Sequence, residues 1–192
     1  MEQLTRLLER HLSGKKVLGL FLLTNTVYLF MLAFTIPTTM AFSKGMKLLD
    51  MMPMGYDLNY VKELFSSLGE KGRETYLTTQ LPLDMVYPLL FGPSYSLVFA
   101  YFLNKLNKLN APYVYLCILP ILGGIADYVE NLGIIIMLNS YPDLTGSLVR
   151  ITSLFSVIKS SSSSLFFITF LLVLIAYGFK TLKGKKISAT KL

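Results

Sequence analysis

Four stretches of the chain, Val17–Ile36, Leu81–Leu103, Tyr113–Leu138 and Ser160–Phe179, are apolar over nearly their whole length. A helix needs about 20 such residues to cross a hydrocarbon core of ~30 Å, and each stretch reaches that length. Lipid offers no partners to backbone N–H and C=O groups, so a crossing segment must satisfy them within a helix or a closed barrel. Continuous runs of this length predict helices. The expected fold is all-α: a transmembrane four-helix bundle in a single membrane domain spanning residues 1–192. Composition agrees, since 15% of the 192 residues are charged, against about 25% in soluble domains.

The basic residues predict an orientation. They gather before the first stretch (Arg6, Arg10, Lys15, Lys16), between the second and third (Lys105, Lys108) and after the fourth (Lys180, Lys183, Lys185, Lys186, Lys191). These segments hold most of the 18 lysines and arginines, and with four spans they share one side. Short basic segments stay cytoplasmic, so a multi-pass protein of the cell membrane with both termini in the cytoplasm is expected. The loop 38–80 balances acids and bases, and "NSYPDLTGS" has no base; both fit the outer side. The net charge of +7 is read as a topology signal, and no nucleic-acid partner is expected. The first stretch exceeds the 7–15 apolar residues of a signal-peptide core and is read as a retained span.

Several chemistries drop out. Cys117 is the single cysteine and His11 the single histidine, so an intrachain disulfide and histidine-based metal or haem ligation are not expected. Phosphate-binding glycine loops, paired-cysteine zinc spacing and nucleophile elbows are missing from the sequence. No cofactor and no metal site is expected.

Outside the spans, "EQLTRLLERHL" sets Leu4, Leu7, Leu8 and Leu12 at helical spacing beside Arg6 and Arg10, a short amphipathic helix suited to a membrane surface. The loop 38–80 exceeds a simple connector. Within it, "DLNYVKELFSSLG" reads as an Asp57 N-cap, an apolar face of Leu58, Val61, Leu64, Phe65 and Leu68, and a Gly69 terminator. "GRETYLTTQ" forms a second helical stretch, and the methionine-rich "MKLLDMMPMG" suits an adaptable apolar surface. Together they predict a helical cap on the outer mouth of the bundle.

Polar residues interrupt the spans. In "ILPILGGIADYVENLGIIIML", Asp127, Glu130 and Asn131 fall at i, i+3 and i+4 and so share one helix face. Gly123 and Gly124 precede them, and small residues let a neighbouring helix approach. The face is therefore expected to point at protein rather than lipid. In "LPLDMVYPLLFGPSY", Asp84, Tyr87, Phe91 and Tyr95 form a stripe, while Pro88 and Gly92–Pro93 are expected to break the helix. Pro88 also deprives the Asp84 carbonyl of its usual donor. "TSLFSVIKSSSSS" aligns Thr152, Ser156, Lys159 and Ser163, and an ion pair from Lys159 to Asp84 or Glu130 is expected. Asn25, Thr24 and Tyr28 add polar groups from the first span, and Arg150 is read as an interface anchor. The expected polar cavity, in the outer half of the membrane, takes in Asp84, Tyr87, Tyr95, Asp127, Tyr128, Glu130, Asn131 and Lys159.

The strings "LGEKGRETYL", "LPLDMVYPLLFGPSY" and "GIADYVENLG" resemble a largely uncharacterised family of small four-span membrane proteins, over most of Tyr56–Ser156. The resemblance implies the four-span fold and no activity or catalytic residue. Emopamil-binding-type isomerases share the span count and intramembrane acids, but their histidine has no counterpart here. Three functions fit the residues. One is binding of a small amphiphile, lipid or cation, alone, as a homo-oligomer or as a subunit of a membrane complex. The second is an enzyme acting on a lipid or isoprenoid, with Glu130 as acid and Asp127 or Asp84 as base. The third is a purely structural bundle.

Overall fold

The computed structural model describes residues 2–189. Lys191 of the basic tail lies outside the described residues, and so do the side chains of Lys185 and Lys186. The described residues form α1 (Glu2–Glu9), α2 (Gly14–Phe30), α3 (Ile36–Met40), α4 (Leu58–Thr75), α5 (Leu81–Lys105), α6 (Leu119–Ser140) and α7 (Gly146–Ala189). π-helical turns at Met31–Thr35 and Tyr76–Gln80 join α2 to α3 and α4 to α5, and 3-10 turns lie at Leu49–Met51 and Tyr113–Ile118. Four continuous helical segments, Gly14–Met40, Leu58–Lys105, Tyr113–Ser140 and Gly146–Lys183, are long and apolar enough to cross a membrane. The chain is an all-α, multi-pass membrane protein.

α6 lies at the centre, packed along α7 on one side and α5 on the other; α2 packs on α5, and α7 also touches α5. Apolar residues gather at both ends. At the loop end, Val61, Leu64, Phe65 and Leu68 of α4 join Leu48, Leu49, Ile134 and Met137. At the basic end, Leu8 of α1 packs with Phe99, Leu103, Val114 and Phe166. The loop-end cluster has the larger hydrophobic driving force, because its α4 face would otherwise meet water, at about 1.5–3 kcal/mol per large side chain. Between spans lipid is as apolar as leucine, and close packing of small residues decides the association.

Local chemistry explains the cap. The Asp57 carboxylate accepts from the Tyr60 N–H at 2.8 Å, closing the open start of α4. Gly69, at φ 64° and ψ −173°, kinks that helix in a conformation that glycine tolerates without a Cβ clash. The chain then turns helical again and runs into the second span.

Two elements depart from expectation. α5 is helical from Leu81 to Lys105, straight through Pro88 and Pro93, rather than broken at them. The neighbouring α6 supplies the donor that Pro88 removes, as described below. α7 begins at Gly146, well before Ser160, because one face of the stretch up to Lys159, with Val149, Thr152 and Ser156, is buried rather than left as a connector.

Glycines set the helix spacing. A methyl group placed on Gly124 would lie 3.1 Å from the Pro88 carbonyl oxygen of α5, and one on Gly133 would run into the Thr152 side chain of α7. Gly133→Ala should therefore lower stability by about 1 kcal/mol through overpacking. Adding Thr152→Ala should recover most of that loss, read as the unfolding midpoint in mixed micelles.

Candidate functional site

Lys159 of α7 sits among acids. Its Nζ lies 3.2 Å from Asp127 Oδ1 and 2.5 Å from Glu130 Oε2, and it donates to the Asp50 carbonyl oxygen at 3.2 Å. The i, i+3 spacing on α6 brings both acids to one cation. Glu130 is fully buried and Asp127 nearly so. The Glu130 contact is an ion pair without hydrogen-bond alignment, and neither Glu130 oxygen has a hydrogen-bond partner among the described residues. Sequence spacing offers Lys159 either Asp84 or Glu130. The structure gives Glu130 together with Asp127.

The cap supplies a further acid, Asp50. Tyr76 donates from its hydroxyl to Asp50 Oδ1, and Gln80 Nε2 donates to Oδ2 at 3.1 Å. Gln80 Oε1 in turn accepts from Thr35 Oγ1 at 2.5 Å. Tyr76 and Gln80 open and close one π-helical turn, and Thr35 closes the other. Single π-helical turns inside helices frequently mark functional positions; here the pair fixes one carboxylate.

The stretch after Asp50 is tied to the polar face of α7. Ser156 Oγ donates to the Met52 carbonyl oxygen at 2.9 Å, and the Tyr56 N–H donates to Ser153 Oγ at 2.8 Å. Burial, reinforced by the Glu130 carboxylate, raises the Tyr56 hydroxyl above its ordinary value, so it stays protonated beside the acids.

Below this roof lies a cavity of about 470 Å³. Its polar wall holds Asp50, Asp84, Asp127, Lys159, Ser160 and Ser163, and its apolar wall includes Tyr28, Tyr87, Phe91 and Tyr95. The Tyr28 and Tyr87 rings stack with centroids 5.4 Å apart, Phe91 follows at 5.6 Å from Tyr87, and Tyr95 at 4.8 Å from Phe91. Tyr95 donates from its hydroxyl to Asn25 Oδ1 at 3.0 Å. Leu32 of the first span and Phe167 of α7 also line it, and they are 43% and 47% exposed. The cavity is therefore a groove roofed by the cap, floored by α5 and α6, and flanked by the first span and α7.

Asp84 differs from the other acids. It is 5% exposed, lines the groove, and its Oδ2 has no hydrogen-bond partner among the described residues. Its backbone carbonyl is satisfied: Asn131 Nδ2 of α6 donates to it at 3.1 Å. That is the carbonyl Pro88 leaves without a helical donor.

Of the residues expected to share the cavity, Asp84, Tyr87, Tyr95, Asp127 and Lys159 line it. Glu130 lies behind Lys159, Asn131 is buried against the α5 backbone, and Tyr128 is half-buried away from the lining. Asp50 is not among the residues the spacing selects, because it lies in a loop without periodicity; its one signal is that of a lone acid in the apolar string "LLDMMPM". Gln80 and Tyr76 gave no comparable signal.

No known family model, curated protein or solved structure matches the chain. Its class rests on its own architecture, a four-span, all-α membrane bundle.

Proposed function

We propose that the protein binds one amphiphile, admitted sideways from the bilayer between the first span and α7. The head group sits beneath the cap among Asp50, Asp84, Asp127 and Lys159, and the tail runs along Phe91, Tyr95 and Phe167 towards lipid. One observation carries this reading. The groove joins a buried charged wall to an apolar wall whose rim residues, Leu32 and Phe167, are exposed where acyl chains would lie. Its volume lies within the usual range for small-molecule sites, roughly 300–1,000 Å³. Charged groups at membrane depth commonly mark a ligand pathway or a water-filled cavity. With both termini cytoplasmic, the head-group end opens near the outer leaflet.

Filling the groove tests this. Ser163 lines it, and its hydroxyl makes no hydrogen bond among the described residues. Ser163→Phe should keep the protein helical and monodisperse in mild detergent, with any fall in melting temperature no larger than loss of the bound amphiphile produces. The same substitution should weaken retention of a co-purified amphiphile about tenfold, the effect of ~1.4 kcal/mol of lost contact. Native mass spectrometry reads the adduct. Equal adduct on both proteins, or none on either, overturns the proposal.

A further inference from the structure

We infer that the head group of this amphiphile is a cation, an alkylammonium or quaternary ammonium, received by Asp84 and the aromatic wall beside it. The inference rests on the amphiphile reading and specifies its chemistry.

The charge count of the chamber leads there. Asp50, Asp84 and Asp127 line the groove, Glu130 lies behind it, and Lys159 is the single basic residue in the lining. Lys159 is already engaged by Asp127 and Glu130. Asp50 is held by Tyr76 and Gln80. Asp84 is left with a buried oxygen that nothing in the described residues satisfies, on the wall of an open groove. An ionised carboxylate out of water needs a partner, because its desolvation costs several kcal/mol. A ligand cation supplies that partner.

The neighbouring rings favour the same chemistry. Tyr87 follows Asp84 by one turn on α5, and the Tyr28–Tyr87 stack continues through Phe91 to Tyr95. Aromatic faces attract ammonium groups, and quaternary ammonium ligands are commonly recognised by such walls. An anionic head would meet three carboxylates and a lysine already neutralised. A neutral hydroxyl head would hydrogen-bond Asp84 but leave its charge without a counter-ion. A cationic head answers both the open carboxylate and the ring faces.

The experiment uses the full chain in a neutral maltoside detergent and three probes with the same tail: dodecyltrimethylammonium, a dodecyl polyoxyethylene ether and dodecyl sulfate. Binding is read by native mass spectrometry, with dodecyl sulfate held below the level that unfolds the chain, and for the other two probes also by the shift in melting temperature. Dodecyltrimethylammonium should bind at least about tenfold more tightly than the ether, with the sulfate weakest. Asp84→Asn should abolish the preference while the ether still binds. Asp84→Glu should keep the preference, which separates loss of charge from misfolding. Tyr87→Leu, with the carboxylate intact, should reduce the preference severalfold. Equal binding of all three probes, or a preference that survives Asp84→Asn, overturns the cationic head group and leaves the amphiphile reading standing. Failure of the wild-type chain to hold any of the three overturns both.

Discussion

Lys159→Met should lower stability by about 3–5 kcal/mol, the cost of leaving buried carboxylates without their cation. Methionine nearly preserves the length of the lysine side chain, so lost packing contributes little. What disappears is the ammonium that stands 3.2 Å from Asp127 and 2.5 Å from Glu130. The Asp50 carbonyl loses its donor as well, and with it one of the ties between cap and α7. The loss should shrink as the stranded acids are neutralised. Lys159→Met with Glu130→Gln should be more stable than Lys159→Met alone, and adding Asp127→Asn should bring the protein near wild type. Buried ion pairs replaced whole are often neutral, whereas pairs broken on one side are not. Unfolding in mixed micelles by increasing sodium dodecyl sulfate measures each variant. A Lys159→Met protein as stable as wild type would show that the acids are not ionised in the folded state.

The spans were legible because lipid imposes a length and a composition on any crossing helix, and Val17–Ile36 and Tyr113–Leu138 meet both. Helical periodicity placed Asp127 and Glu130 on one face, and the fold presents that face to Lys159. Periodicity gives a side chain's azimuth, not which neighbour it meets. Asp84 and Glu130 read alike as partners for Lys159, yet the fold gives it Glu130 together with Asp127 and leaves Asp84 without it. Asp50 belonged to a loop, where no period constrains direction. Its place over the groove depends on contacts far along the chain, to Tyr76, Gln80 and Lys159. The continuity of α5 was illegible for a related reason. A proline signals the missing donor but cannot show that another helix provides one.

That substitution of one donor by another gives a sharp test. Asn131→Ala should cost about 2 kcal/mol, within the 1–3 kcal/mol of a buried acceptor left unsatisfied. The penalty falls on a buried group, since Asn131 is fully buried and Asp84 is 5% exposed. The cost should depend on Pro88. Pro88→Ala restores an N–H at position 88, which then donates to the Asp84 carbonyl as in any helix. In that background the Asn131 amide is redundant, and Asn131→Ala should cost about 1 kcal/mol less, a coupling of ordinary size for groups sharing one partner. Gly124 makes this geometry available, since its missing side chain lets α6 approach the Pro88 turn closely enough for the amide to reach. The double-mutant cycle, run by the same micelle titration, separates two accounts of Asn131. If Asn131→Ala costs the same with proline or alanine at position 88, the amide acts only by filling space. If the cost falls with alanine, the α6 side chain completes the hydrogen bonding of α5, and α5 remains helical through a proline because its neighbour supplies the bond the proline removes.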